Sequence, residues 1–361
     1  MKLLWCSLLV ASVSGWAQNS PTINDLPSRE FGQVRLTPVT SGVPNLVEGR
    51  ELNGPLVVAF APSSNIVYVA DTNNHRVLAW RNSSSLTKGN QADKVLGQRD
   101  FYSNILQGGP NRDLSSGLTL PTAVAVDSAG NLYVIDGGNN RIVRYPNPFN
   151  QTTDPPALDL VIGQKTQSSG NQPNEGLTKP TAKTLSMTPG GSVVRAAIAF
   201  DAQGNLWVTD AGNNRVLRFP VAQLAAGTIE PAADRVLGQS DFISNNSPTC
   251  SSCQINGTVL LQPQSLAFDS NGALYVADGF GRVLYYPDPA SSLPATKFLG
   301  ALPALAPGQQ PRTYPNEYSL GSNHLNAPLA VFTNGTTVFV ADTLANRVVR
   351  YSSAASAEFG L

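Results

Sequence analysis

Five aspartates, Asp71, Asp136, Asp210, Asp278 and Asp342, are each followed four or five residues later by an arginine: Arg76, Arg141, Arg215, Arg282 and Arg347. Carboxylate and guanidinium at that spacing form charge-assisted pairs, or, gathered from several copies, a ring of ligand contacts. A group that recurs in every copy of a repeat reads as structural. The residues between each pair are mostly Asn and Gly, as in Gly137-Gly138-Asn139-Asn140, and these types tolerate the left-handed backbone of a tight loop. The expectation is a hairpin end at which aspartate accepts hydrogen bonds from loop amides and pairs with its arginine. In the fourth copy the loop is one residue shorter, with Gly279 and Gly281 to compensate.

Other chemistry is sparsely provided. The chain has two histidines, His75 and His324, so a three-histidine zinc site cannot be built. Its glutamates (Glu30, Glu48, Glu51, Glu175, Glu230, Glu317 and Glu358) avoid the strands where channel-lining ligands would be expected. Asp100 and Asp241 recur in the related segments Gln98-Arg99-Asp100-Phe101 and Gln239-Ser240-Asp241-Phe242, which again reads as structure. No nucleophile elbow and no phosphate-cradling glycine loop is present. No catalytic residue, metal or cofactor is therefore assigned. Cys250-Ser251-Ser252-Cys253 lacks the helix start and βαβ setting of a redox motif; in an exported chain it reads as a disulfide closing a small loop.

The elements that must position these residues are strands. Each Asp…Arg loop is flanked by β-branched and aromatic runs, such as Leu132-Tyr133-Val134-Ile135 before it and Ile142-Val143-Arg144-Tyr145 after it, the signature of a hairpin. A further apolar run precedes each hairpin: Val57–Phe60, Ala123–Val126, Ala197–Phe200, Ser265–Phe268 and Leu329–Phe332. Three of these runs lead into Asp127/Gly130, Asp201/Gly204 and Asp269/Gly272, with the aspartate-first, glycine-fourth preference of a type I turn. A fourth run follows each hairpin: Lys94–Gln98, Leu160–Gln164, Arg235–Gln239, Lys297–Gly300 and Glu358–Gly360. The aspartates recur at intervals of 64 to 74 residues.

Four short antiparallel strands, repeated radially, describe an all-β fold, a β-propeller of four-stranded blades. The Asp…Asn-Asn-Arg hairpins resemble the NHL repeat family of propellers, and the resemblance covers all five units. Repeats of this length exceed the roughly 40–45 residues of ordinary blades, so long loops join one blade to the next. Fixed aromatic positions (Tyr68, Tyr133, Trp207, Tyr275, Phe339; Trp80, Tyr145, Phe219, Tyr286, Tyr351) read as inter-blade packing. Tyr102, Tyr314 and Tyr318 stand outside the repeat and remain free for ligands. Arg29-Glu30-Phe31-Gly32-Gln33 mimics the fourth run, so the ring is either five-bladed and closed by this N-terminal strand or six-bladed with an incomplete blade. Similarity to NHL-like propellers also implies an enzymatic alternative, since some are zinc lyases and related lactonases use carboxylate-rich metal sites.

Residues 1–17 have the order of a secretory leader: Lys2, an apolar run from Leu3 to Ala11, then the small residues Ser14, Gly15 and Ala17. The apolar run is shorter than the about 20 residues a bilayer span needs. The expected division is a leader at 1–17, an N-terminal segment at 18–53 carrying the closing strand 29–33, and a propeller at 54–361. With 24 basic and 24 acidic side chains, the surface lacks the electrostatic footprint of a nucleic-acid or anionic-lipid binder. The reading is a secreted or periplasmic, non-catalytic propeller whose inter-blade loops take a protein or other surface ligand. The alternative is a lyase or lactone hydrolase with a metal site at the channel mouth.

Overall fold

The computed structural model describes residues 46–86, 90–108, 116–168, 171–247, 256–291, 293–300 and 325–352. Five small antiparallel sheets follow one another round a ring, the five blades of a β-propeller. The first comprises β1 (Pro55–Phe60), β2 (Val67–Asp71), β3 (Arg76–Trp80) and β4 (Lys94–Leu96). The second comprises β5 (Pro121–Val126), β6 (Leu132–Asp136), β7 (Arg141–Tyr145) and β8 (Leu160–Ile162). β9 (Ile198–Phe200), β10 (Leu206–Asp210), β11 (Arg215–Phe219) and β12 (Arg235–Leu237) form the third. β13 (Ser265–Phe268), β14 (Leu274–Asp278), β15 (Arg282–Tyr286) and β16 (Lys297–Leu299) form the fourth. In the fifth, β17 (Pro328–Asn334), β18 (Thr337–Asp342) and β19 (Arg347–Tyr351) are the strands among the described residues. The expected fourth strand at Glu358–Gly360 and the closing strand at 29–33 lie outside them, as do the leader, His324, Tyr314, Tyr318 and the Cys250/Cys253 pair.

Side chains alternate across each strand, and here both faces are buried because each inner blade is sandwiched. Leu132 and Val134 of β6 pack with Tyr68 and Ala70 of the preceding blade. Their neighbours Tyr133 and Ile135 pack with Leu206 and Val208 of the following one. At these interfaces an aromatic on a first strand meets one on the preceding second strand edge-on, with Phe200 5.0 Å from Tyr133 and Phe268 5.8 Å from Trp207. Type I turns close the hairpins between first and second strands as expected: Gly130, Gly204 and Gly272 donate to the carbonyls of Asp127, Asp201 and Asp269.

The connectors between blades repeat a contact that the hairpin pattern does not announce. At Gly97, φ is +83° and a Cβ would fall 2.5 Å from the Leu118 side chain. The same close approach joins Gly163 to Leu185, Gly238 to Leu260 and Gly300 to Leu325. Each fourth strand therefore ends on a glycine seated against the leucine that leads into the next blade.

The two ends of the series differ from the middle. Val124, Ile198, Leu266 and Val331 occupy one register position and are buried, whereas the equivalent Val58 is 43 % exposed and its neighbour Phe60 61 % exposed. In the fifth blade the run Leu329–Phe332 sits one step further along than its sequence alignment with the other blades implies. Its hairpin closes through Gly335 and pairs Val331 with Val340, so Phe332 takes the place held elsewhere by Ala59, Ala125, Ala199 and Ala267. Phe332 is 64 % exposed.

Candidate functional site

The repeated aspartates and arginines meet, in register, at the end of every second-to-third-strand hairpin. Nε of the arginine donates to Oδ2 of the aspartate at 2.7 Å in Arg76–Asp71, Arg141–Asp136 and Arg215–Asp210, and at 2.8 Å in Arg347–Asp342. In the shorter fourth loop Arg282 straddles both oxygens of Asp278 at 3.2–3.4 Å, and burial raises the pKa of that carboxyl against the opposing pull of Arg282.

The second aspartate oxygen does not go to its own loop in the four longer hairpins. It accepts the backbone amide of the upstream connector: Asn53 for Asp71, Thr119 for Asp136, Ser186 for Asp210 and Asn326 for Asp342. The loops turn through a 3-10 segment that satisfies its own amide internally, as His75 N–H does on the Thr72 carbonyl, so the carboxylate reaches outward. A backbone amide of the loop donates to the aspartate only in the fourth, Phe280 N–H to Asp278 Oδ1 at 3.2 Å; in the first three the loop's donor is a side-chain amide, that of Asn74, Asn139 or Asn213, to the oxygen shared with the arginine.

The guanidiniums complete the fastening. Arg76 donates to the carbonyls of Phe101 and Glu51, and Arg141 to those of Gln167 and Gly117. Arg215 reaches Phe242, Thr181 and Thr184, and Arg282 reaches Asn256 and Val259. In the first four blades these side chains are buried and engaged at both ends, an arrangement that holds loops together and leaves no face for a ligand.

The last residue of each loop is left-handed: His75, Asn140, Asn214, Gly281 and Asn346. In the first three blades its side chain stitches the turn to the next blade's connector. Asn140 Oδ1 accepts from the amides of Met187 and Thr188, Asn214 Oδ1 from Gln262, and His75 Nδ1 from Leu120 at 3.1 Å. Burial lowers the His75 pKa, with Asp136 and Asp71 pulling it the other way. His75 is thus committed to backbone. Among the described residues no three His, Cys, Asp or Glu side chains gather where they could hold a metal ion. Glu51 and Glu175 are separate carboxyls whose pKa burial raises, and Glu230 pairs with Lys183.

One recurrent arrangement points outward. Asp100 Oδ1 accepts the amide of Tyr102 and the hydroxyl of Ser103; Asp241 Oδ1 accepts the amides of Ile243 and Ser244. Serine hydrogen bonding lowers the pKa of both carboxyls. The intervening Phe101 and Phe242 carbonyls are held at 2.6 Å by Arg76 and Arg215. These two turns, pinned from both sides, present Tyr102 (71 % exposed) and Ile243 (55 % exposed) on the connector rim. The recurrence of Asp-Phe and the availability of Tyr102 were legible in the sequence, but the matching exposure of Ile243 was not.

The NHL repeat family matches residues 52–80 and 118–145, within the first two blades. The chain is thus a β-propeller that carries NHL repeats. No curated protein sequence matches it. Among solved structures it is similar to virginiamycin B lyase from Staphylococcus aureus at 12 % identity, covering 83 % of this chain and 70 % of that one with a TM-score of 0.40. A protein from Lactobacillus plantarum shares 15 % identity over 86 % of this chain and 70 % of that one, TM-score 0.47. A chain of the nidogen/laminin complex shares 17 % over 84 % and 77 %, TM-score 0.45. None of these assigns an activity or a partner to this chain. Among the described residues no helix is long and apolar enough to cross a membrane.

Proposed function

We propose that this chain is an exported, non-catalytic NHL propeller that binds a protein partner through its connector rim. The observation that carries the reading is the display of Tyr102 and Ile243 on turns fixed by buried arginines. Exposed aromatic and aliphatic side chains on rigid supports bind with little ordering cost, which is the property of an interaction hot spot. Export to a secreted or periplasmic location rests on the leader pattern of residues 1–17. Neighbouring Ile105 and Leu106 are half-exposed and extend the apolar part of the same rim.

A photo-crosslinking residue at position 102 or 243, expressed in the exporting cell, tests this directly. One discrete protein adduct at both positions, lost when the other of Tyr102 and Ile243 is changed to Ser, is the expected result. Turnover of a lactone or a cyclic peptide by the purified chain, abolished by chelation, would establish the rival enzymatic reading. Absence of any adduct at either position would also defeat the proposal.

A further inference from the structure

A cavity of about 730 Å³ opens on the outer side of the boundary between the third and fourth blades. Its volume lies within the range of small-molecule sites. At its wall Tyr286 is 1 % exposed, and its hydroxyl has no hydrogen-bond partner. In the second blade the tyrosine at the same place, Tyr145 of β7, donates to the carbonyl of Ser116 two residues before Leu118. In the fourth blade the corresponding connector residue is Thr258, two before Leu260; Thr258 and Tyr286 both line the cavity, and the Tyr286 hydroxyl bonds to neither carbonyl nor side chain there. A buried hydroxyl without an acceptor costs about 1–3 kcal/mol, so its retention at a cavity wall calls for an occupant.

A second donor lies at the same wall. Arg235 on β12 lines the cavity, and its Nε is buried with no partner. Its cross-strand neighbour Arg218 already takes both oxygens of Asp234 at 2.8 Å. Asp234 is the only carboxylate lining the cavity among the described residues, so one positive charge there is left without its counterion. The remaining apolar wall includes Val259, Leu293 and Pro294. Burial pushes the Tyr286 hydroxyl pKa up, which keeps it a donor at every physiological pH.

We propose that this cavity binds an amphipathic organic anion, its carboxylate accepting from Arg235 and Tyr286 and its hydrocarbon body lying against Val259, Leu293 and Pro294. Two donors with no acceptor select a negatively charged head, and the apolar wall selects the body. This site adjoins the turn that carries Ile243, since Ser240 and Phe242 line it, but the proposed contacts involve neither Tyr102 nor Ile243 and do not depend on the rim surface.

Decanoate is the probe, titrated calorimetrically into the full chain, with decyltrimethylammonium as the same body bearing the opposite charge. Saturable binding of one decanoate per chain is expected, with the cation not competing. Arg235→Gln should weaken decanoate about tenfold, the loss of one charge-assisted hydrogen bond, and Arg235→Lys should recover part of it. Tyr286→Phe, which keeps the packing of the ring, should weaken it severalfold with the thermal melt unchanged. No saturable decanoate binding overturns the proposal, as do equal binding by the cation or undiminished binding by both Arg235→Gln and Tyr286→Phe.

Discussion

Nδ1 of His75 accepts the backbone amide of Leu120 at 3.1 Å, across the boundary between the first and second blades. Asn140 and Asn214 do the same work with a side-chain oxygen at the next two boundaries. The histidine fills an asparagine's position, and does so only while that nitrogen carries no proton.

This gives a pH dependence with a defined direction. Burial lowers the His75 pKa in the folded chain, so the unfolded chain takes up the proton first as pH falls. Stability is full above the ordinary histidine range and is lost as pH drops through that range toward the lowered value. Thermal melts of the wild type at about pH 7.5 and about pH 5.5 should differ by more than those of His75→Asn, which restores an acceptor that cannot titrate. Equal differences would show that the imidazole has no part in the stitch.

Asp136, itself buried, accepts three hydrogen bonds, from Thr119 N–H, Asn139 Nδ2 and Arg141 Nε. Asp136→Ala strands the guanidinium of Arg141, which is buried, and should cost about 3–5 kcal/mol. Lys183→Ala removes a surface pair with Glu230 and should cost less than about 1 kcal/mol. Urea midpoints of the two variants measure the contrast; similar shifts would remove the special role of the buried pair.

Phe200 and Phe332 separate inter-blade packing from exposed surface. Phe200 stands edge-on to Tyr133 at 5.0 Å, and Phe200→Ala should cost about 2–3 kcal/mol. Phe332 is 64 % exposed, so Phe332→Ala should move stability by no more than about 0.5 kcal/mol. Denaturation curves decide it, and a large loss at Phe332 would mean that its face is covered in solution.

The blades and their hairpins were legible because repetition and strand alternation are local. Asp71 and Arg76 lie close in the chain and pair in register, so their spacing already implied the contact. The partner of the other aspartate oxygen was not legible, because Asn53, Thr119, Ser186 and Asn326 share no side-chain type. A backbone amide donates whatever side chain it carries, and it leaves no trace in composition. The connector leucines opposite Gly97, Gly163, Gly238 and Gly300 did carry a signal, a Leu some twenty residues after each Gly, but one spread across loops of unequal length. The cavity was hidden for a different reason: Tyr145 and Tyr286 are the same residue at the same repeat position, yet only the first has a partner for its hydroxyl.

The left-handed residue of the fourth loop is Gly281, and it has no side chain with which to reach the fifth blade. That junction is secured instead between the first strands, where Ser265 Oγ accepts Val331 N–H and Thr333 Oγ1 donates to the Phe268 carbonyl. Three joints of the wheel are therefore riveted at the rim and the fourth at the hub. Loosening the fourth joint would take changes at Ser265 and Thr333 in the first strands, not at the tip of a hairpin.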